Sequence, residues 1–275
     1  ILSVCLKSIY EKTTYKNYEI IVVDNGSKEE ETLNLFDEYS KYENFRVLRL
    51  DCEFNYSYLN NEAVKIANGE YILLLNNDTE VITTNWIEQM LGYARQNHVG
   101  AVGSKLYFPD NTIQHCGVIL GLYLVAGHCF WNYSKDYDYD NLTKIASNFS
   151  AVTAACLMVS KDKFIEVGML NEVELKVGSN DVDLCIRLMN AGYYNVLNPQ
   201  VELYHHESKS RGIDNKTIEK YNRCKGEVEY MLKNYNDLIV NDPFYNKNYS
   251  LMKAYFLDKQ DGSKIRQENI DIFCC

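Results

Sequence analysis

The sequence predicts an α/β fold, in which a mostly parallel central sheet is flanked by helices and followed by a C-terminal helical segment. Three short apolar runs support this prediction, at residues 19–24, 45–50 and 71–75. Each run is too short for an average helix, and stretches with helical spacing separate the three. Strands that alternate with helices in this order are typical of a parallel sheet with right-handed crossovers.

The first half of the chain supplies three predicted helices. Apolar residues recur at helical spacing over residues 2–10. Ser27 and Glu30 have the spacing of a capping box, which predicts a second helix directly after the first strand. The third helix covers residues 54–68 and ends at an Asn-Gly pair. Because the chain starts in a helical pattern and without Met, we expect a fragment that has lost a first strand.

The second half continues with further strands and helices. Residues 133–140 are aromatic and acidic without periodicity, which predicts a loop. Residues 242–246 predict a turn, and the last residues predict a weakly structured end of the C-terminal extension. The predicted elements are a helix at 86–94, strands at 99–106, 116–125 (one strand or a pair), 150–160 and 195–204, and helices at 181–189 and 214–235.

Composition narrows the class of protein. The formal net charge of −10 argues against a nucleic-acid-binding surface. No apolar run approaches the roughly 18 residues that a membrane-spanning helix requires. Nine cysteines, an odd number without C-x-x-C spacing, lie mostly in apolar runs, as free thiols do in a reducing cytosol. We therefore expect a cytoplasmic protein.

A carboxylate follows the apolar run at residues 71–75, where the chain passes through two amides to Asp78. Ligands of open α/β sheets bind beyond the carboxyl ends of the strands, and Asp24 ends another predicted strand at the same edge. A carboxylate that leaves room for substrate phosphates suits Mg²⁺ or Mn²⁺. The alternative is a simple Asx-type turn, which Asn and Asp favour without any metal.

Two further carboxylates, Asp181 and Asp183, fall in the first turn of a predicted helix. The small residues Gly178 and Ser179 precede them and would let a substrate come close. A carboxylate here can act as a general base, or it can simply favour the positive end of the helix. These residues alone leave both explanations open.

Seven short segments carry a resemblance to a known family. They are VVDNGS at 22–27, FNYS at 54–57, LNNDTEV at 75–81, IQHCG at 113–117, SAVTAAC at 150–156, NDVDLCIR at 180–187 and ELYHHES at 202–208. Each is weak alone, but together and in this order they resemble family 2 glycosyltransferases, especially the rhamnosyltransferase-like and O-antigen-type bacterial members. The resemblance covers about residues 1–250.

The resemblance implies a glycosyltransferase A-type fold and a role for three residues in the first half. Asp24 matches the carboxylate that contacts the nucleotide base or ribose. Residues 76–78 match the D-x-D motif of the family, with Asp78 as the metal ligand. Asn76 stands on the substrate-binding side of this motif, where an Asp is more common, so fewer charges would hold the ion.

Later residues receive roles in the same way. Asp181 matches the catalytic base of the E-D motif, with the substrate-binding Asn180 in place of Glu. His205 matches the late metal-ligating histidine, although His206 competes because a slip of one residue exchanges the two. Ser210 falls where a Ser often follows that histidine.

The resemblance implies inverting, metal-dependent transfer of a sugar from a nucleotide-diphosphate sugar to a hydroxyl of a saccharide or lipid-linked acceptor in cell-surface polysaccharide synthesis. A single displacement needs one base and no covalent nucleophile, so Asp183 is expected to be structural. Residues 1–100 would form the nucleotide-sugar half, residues 101–240 the acceptor and catalytic half of the same domain, and residues 241–275 an extension. Peripheral association with the inner face of the membrane is compatible with this function.

Two alternatives remain at this point. A sugar nucleotidyltransferase also ends strands in metal-binding carboxylates. A catalytically degenerate module that binds a nucleotide sugar is suggested by the amides at Asn76 and Asn180, where the family usually has acids.

Overall fold

The computed structural model describes residues 1–138, 140–206 and 217–256. Among these residues no helix is long and apolar enough to cross a membrane. The helices are α1 Leu2–Lys12, α2 Glu30–Tyr39, α3 Tyr56–Ile66, α4 Trp86–Ala94, α5 Lys161–Glu166, α6 Asn180–Asn190 and α7 Ile218–Val240. The strands are β1 Ile20–Asp24, β2 Phe45–Arg49, β3 Tyr71–Leu75, β4 Thr79–Val81, β5 Val99–Tyr107, β6 Ile113–His115, β7 Val118–Leu120, β8 Ala126–His128, β9 Ser147–Phe149, β10 Cys156–Ser160 and β11 Tyr194–His205.

The central sheet has seven strands with the order β3-β10-β5-β11-β4, while β6 pairs with β5 and β9 with β11. Helices cover it, so the predicted α/β class is confirmed. The sheet is mixed, however, where the sequence predicted a mostly parallel one. Only β5 and β11 pair in parallel within it, and β1 and β2 form a separate parallel pair. The reason is the connection between β5 and β10, which runs through short strands and turns and not through a crossover helix, and β10 enters antiparallel to both neighbours.

Alternate residues along the strands of the sheet pack into two apolar clusters, one on each face. Leu157 and Val159 of β10 pack into one cluster together with α6, whereas Met158 packs into the other with α1 and α4. Helix α4 fits this arrangement because Trp86 and Met90, one turn apart, are both fully buried.

Strand β3 differs from the prediction of a strand buried on both faces. Its residues alternate between buried and half-buried, because Ile72 and Leu74 pack into the cluster on one face, whereas the residues on the other face are only partly covered. The strand pairs with β10. Strand β1 likewise pairs only with β2. Within the described part of the chain no strand lies between β1 and β3, and both strands line one large cleft.

Two local predictions in the first and middle parts of the chain are wrong. Helix α2 starts at Glu30 after Glu29, and Ser27 instead donates its backbone N–H to Asp24 Oδ1 at 2.9 Å, so it belongs to the turn after β1 and not to a capping box. Of the strand predicted at residues 150–160, only β10 forms. Its first half is a loop, in which Ala154 donates its backbone N–H to Asp181 at the start of α6.

The turn predicted at residues 242–246 is present, and it packs against the rest of the protein. Asp242 accepts hydrogen bonds from the Leu120 backbone at 2.7 Å and from Ser150 Oγ at 2.6 Å, and Tyr245 is buried. Residues 242–256 therefore pack on the core. The described cysteines are free thiols, most of them buried, as predicted. Ser210 and the last two cysteines lie outside the described residues.

Candidate active site

The candidate site lies in a cleft of about 2680 Å³ at the carboxyl ends of β1 and β3. It is lined by β1 and β3, by the loop before β10, by the start of α6 and by one face of α7. All six residues that the sequence singled out for roles line this cleft: Asp24, Asn76, Asp78, Asn180, Asp181 and His205.

Asp78 and His205 meet at the centre of the cleft because β4 and β11 pair antiparallel. Their register places His205 opposite Thr79, which directly follows Asp78. His205 Nε2 lies 3.0 Å from Asp78 Oδ1, and both side chains are less than a tenth exposed. This contact is a hydrogen bond only when Nε2 carries a proton, and Oδ1 has no other hydrogen-bond partner in the described part of the chain.

Two amide side chains complete the surroundings of His205. Asn76 Nδ2 lies 3.2 Å from Nε2, and Gln114 Oε1 lies 2.8 Å from Nδ1. Burial alone would raise the pKa of the Asp78 carboxyl, but the contact with His205, helped by His206, holds that pKa below its ordinary value. The site therefore keeps a buried carboxylate in its charged form beside an imidazole.

His206, the competing candidate, occupies a different position. Its Nε2 lies 3.4 Å from Glu80 Oε2, and its backbone N–H donates to the Asp78 carbonyl at 2.8 Å. Successive residues of a strand face opposite sides, so only one of the two histidines can face Asp78. In the structure that histidine is His205.

Asp181 reaches the same centre through the loop before β10. Its Oδ2 accepts the Ala154 N–H at 3.0 Å, while the carbonyl of Ala155 accepts the Asn76 N–H at 3.0 Å. Two adjacent loop residues thus connect Asp181 to the Asp78 region. Tyr56 lies close to both carboxylates: burial and the charges of Asp181 and Asp78 together raise the pKa of its hydroxyl.

Asn180 and Asp24 are both engaged by the protein itself. Asn180 is buried and donates from Nδ2 to the Val177 carbonyl at 3.0 Å, which closes the turn before α6. Asp24 accepts from the Ser27 backbone through Oδ1 and from Arg49 Nη1 through Oδ2, each at 2.9 Å. Both side chains therefore shape loops of the cleft.

Asp183 is fully buried on the opposite side of α6. Arg187 donates from Nε and Nη2 to Asp183 Oδ2 at 2.9 and 2.7 Å, and Tyr235 Oη donates to Oδ1 at 2.6 Å. Arg187 also donates to backbone carbonyls of the loop after α5. Asp183 therefore holds α6, α7 and this loop together, which agrees with the expectation of a structural role.

Helix α7 contributes a residue that the sequence did not single out. Glu227 is buried, and its Oε1 accepts the N–H groups of Val177 at 2.8 Å and Gly178 at 3.1 Å, in the turn that leads to Asp181. Its Oε2 accepts from Arg223 at 2.7 Å. A Cβ on Gly178 would lie only 2.9 Å from Glu227 Oε2, so glycine lets the two elements approach. Nothing in the local sequence of α7 distinguishes this Glu from its exposed neighbours.

The FNYS segment supports the same turn from the other side. Asn55 caps α3 by accepting the Tyr58 N–H at 3.0 Å and donates to the Glu172 carbonyl at 2.8 Å. Ser57 donates from Oγ to the Leu175 carbonyl at 2.5 Å. The segment therefore fixes residues 172–175, which lead into the turn at Gly178.

Comparison with known proteins defines the class. The profile described as glycosyl transferase family 2 matches residues 1–168, more than half of the chain. The chain therefore belongs to glycosyl transferase family 2, and its central sheet with flanking helices is the glycosyltransferase A-type fold.

Particular relatives and a solved structure agree with this class. The chain is 46% identical over 259 residues, 94% of its length, to the uncharacterized protein y4gI of Sinorhizobium fredii, of which it covers 28%. It is 34% identical over 262 residues, 91% of its length, to the O-antigen biosynthesis protein RfbC of Myxococcus xanthus, of which it covers 19%. The chain thus spans less than a third of these relatives. A crystal structure of GalNAc-T7 with UDP, GalNAc and Mn²⁺ superposes with a TM-score of 0.60 at 14% identity, covering 89% of this chain and 55% of that one.

Proposed function

We propose that this chain transfers a sugar, with inversion, from a nucleotide-diphosphate sugar to a hydroxyl of a saccharide or lipid-linked acceptor. The observation that carries the proposal is the meeting of Asp78 and His205 in one cleft with Asp181. Ala154 and Ala155 link Asp181 to the backbone of Asn76, two residues before Asp78. A charged group for the diphosphate and a separate carboxylate for the acceptor are the two requirements of such a transfer.

A divalent cation, Mg²⁺ or Mn²⁺, fits between Asp78 and His205. Among the described residues, buried Asp78 Oδ1 has no hydrogen-bond partner other than a protonated imidazole, and an imidazole nitrogen faces it. A carboxylate oxygen and an imidazole nitrogen are suitable ligands for Mn²⁺. No group of three His, Cys, Asp or Glu converges among the described residues, so diphosphate oxygens and water would complete the shell. The cation would neutralise the charge that develops on the leaving diphosphate.

Asp181 acts as the general base in this proposal. An acceptor hydroxyl attacks the anomeric carbon as the bond to the diphosphate breaks, and the carboxylate takes the hydroxyl proton. The bonding pair leaves with the diphosphate, and one displacement inverts the anomeric carbon. Because the backbone N–H of Ala154 binds Oδ2 and that of Val182 binds Oδ1, the carboxylate is held in one orientation.

In this proposal the two halves of the chain bind different substrates. Residues 1–100, with Asp24 and Asn76, would hold the nucleotide sugar, and residues 101–240, with Asn180 and Asp181, would hold the acceptor. The similarity to an O-antigen biosynthesis protein supports an acceptor that belongs to a cell-surface polysaccharide. The cytoplasmic location and the membrane association stay predictions.

Ligand-dependent thermal stability tests the proposal. The whole protein is heated with UDP, GDP, CDP, ADP or dTDP, each with and without Mn²⁺. A cognate diphosphate at about 100 times its Kd should raise the Tm by roughly 5–10 °C, and only with the metal.

Turnover of the matching nucleotide sugars then distinguishes the possible activities. Release of the diphosphate with an inverted anomeric product supports the proposal. Binding without turnover indicates a degenerate binding module, and formation of a nucleotide sugar from a triphosphate and a sugar phosphate indicates a nucleotidyltransferase. Either of these two results contradicts it.

A further inference from the structure

We propose that Gln114 is a positioning residue that keeps the ring proton of His205 on Nδ1, so that the Nε2 lone pair faces the site beside Asp78. This inference rests on the metal site of the proposed function, and it gives the IQHCG segment a role. Gln114 lies in β6, which pairs with β5 on one side, while β11 carries His205 on the other side of β5.

The contact between the two side chains is specific. Gln114 is only 3% exposed, and its Oε1 lies 2.8 Å from His205 Nδ1, within a fully buried environment. A carbonyl oxygen can only accept, so Nδ1 must donate. On the other side of the ring Asn76 Nδ2 lies 3.2 Å from Nε2, and an amide nitrogen can only donate. Both amides therefore favour the same tautomer, with a proton on Nδ1 and a lone pair on Nε2.

Without these amides the opposite tautomer would be preferred. Asp78 Oδ1, 3.0 Å from Nε2, is a charged acceptor and would attract the proton to Nε2. A proton at Nε2 blocks the coordination of a cation. Metal-ligating histidines generally donate their other N–H to an outer-shell acceptor, and loss of that acceptor typically weakens metal binding by about 10- to 100-fold. Gln114 supplies this acceptor without a second negative charge.

The tautomer is measured directly by NMR, without reference to activity. In the whole protein labelled with ¹⁵N-histidine, at a pH where the ring is neutral, His205 should show a protonated Nδ1 and an unprotonated Nε2. His205→Gln identifies the signal. Gln114→Leu removes the acceptor and should move the proton to Nε2, whereas Gln114→Glu keeps an acceptor and should leave it on Nδ1. A wild-type His205 protonated on Nε2, or one unchanged by Gln114→Leu, would overturn the inference.

Metal binding provides a second test of the role of Gln114. Mn²⁺ alone is the probe, and EPR measures the free ion. Gln114→Leu should weaken Mn²⁺ binding about 10- to 100-fold, and Gln114→Glu should restore it. Gln89→Leu is the matched control, because Gln89 lies on α4 and pairs with Asn85 and Asn198. If the wild-type protein and Asp78→Ala bind Mn²⁺ equally, the metal site itself is wrong. If Asp78→Ala loses binding and Gln114→Leu does not, only the role of Gln114 is refuted.

Discussion

At the scale of single residues, the most unusual group is the Asp78 carboxylate. One of its oxygens is buried next to an imidazole and lacks any other hydrogen-bond partner among the described residues. An unsatisfied buried polar atom typically destabilises the folded protein by about 1–3 kcal/mol. A ligand that binds to this oxygen would remove that penalty.

Asp78→Ala should therefore abolish the Mn²⁺-dependent part of nucleoside diphosphate binding and leave the protein folded. Isothermal titration with and without Mn²⁺ measures this effect. Glu80→Ala is the matched control, since Glu80 is the neighbouring acid but pairs with His206 and Lys12. Equal metal-dependent affinity in the wild type and Asp78→Ala would contradict the assignment.

Asp181 and Asp183 form a second pair for comparison, because they are two residues apart and have opposite surroundings. Asp181→Asn keeps the shape of the side chain and removes the base, so turnover should fall by about 10²- to 10⁴-fold while donor binding hardly changes. Steady-state kinetics with the true acceptor test this prediction, and near-normal turnover would refute it.

Asp183→Asn should act on stability instead. It removes the charge that faces Arg187 in a buried network, and the loss of one partner of a buried ion pair typically costs about 3–5 kcal/mol. Urea unfolding should show a lower free energy of unfolding, with turnover per folded molecule largely retained. A stable variant with little turnover would transfer the catalytic role to Asp183.

At the scale of secondary-structure elements, the turn before α6 is the structure on which the proposed base depends. Ser179 adopts a left-handed conformation with φ of 55°, which is uncommon for a residue other than glycine. The turn is held by Glu227 of α7 and by the loop that α3 anchors. Elements distant in the chain thus determine where Asp181 lies.

Glu227→Ala should lower kcat by about 10²-fold, because a small displacement of Asp181 is enough for such a loss. Donor affinity should stay close to the wild-type value. Glu227→Gln retains an oxygen that can accept both N–H groups and should recover most of the activity. Glu229→Ala, an exposed Glu on the same helix, should behave as wild type. A loss of stability in Glu227→Ala with an unchanged kcat would show that the contact is structural only.

At the scale of the whole molecule, a second histidine is buried behind the site. His115 is fully buried, its Nδ1 lies 3.3 Å from His128 Nδ1, and its Nε2 has no hydrogen-bond partner in the described part of the chain. Burial, reinforced by His128 and His205, lowers the pKa of His115 well below its ordinary value of 6.5. The folded protein therefore keeps this ring neutral.

The free energy of unfolding should consequently depend on pH through His115. Below about pH 6.5 the unfolded chain binds a proton at this residue that the folded chain does not. Stability therefore falls with decreasing pH, by at most about 1.4 kcal/mol per pH unit, and this contribution levels off above that pH. Urea unfolding is measured between pH 5 and 8, a range of about three units that spans the ordinary pKa of His. The free energy of unfolding should change less steeply with pH in His115→Gln than in the wild type. His98→Gln is the exposed control, and equal slopes in all three proteins would refute the prediction.

Much of the fold could be predicted from the sequence by itself, because apolar runs and helical spacing are local features of the chain. Short apolar runs located β1, β2, β3, β5 and β11, and helical spacing of apolar residues located most of the helices. The ordered motifs predicted that Asp78, Asp181 and His205 belong to one site, and all three line one cleft.

Only the tertiary structure showed the direction of the strands, which of His205 and His206 faces Asp78, and the contacts that Gln114 and Glu227 make. Strand direction depends on where a long connection returns to the sheet. The choice of histidine depends on the register of β4 against β11. Gln114 contacts a residue that lies 91 positions away in the chain, and Glu227 contacts a residue that lies 50 positions away. Such contacts leave no periodic signal in the sequence near either residue.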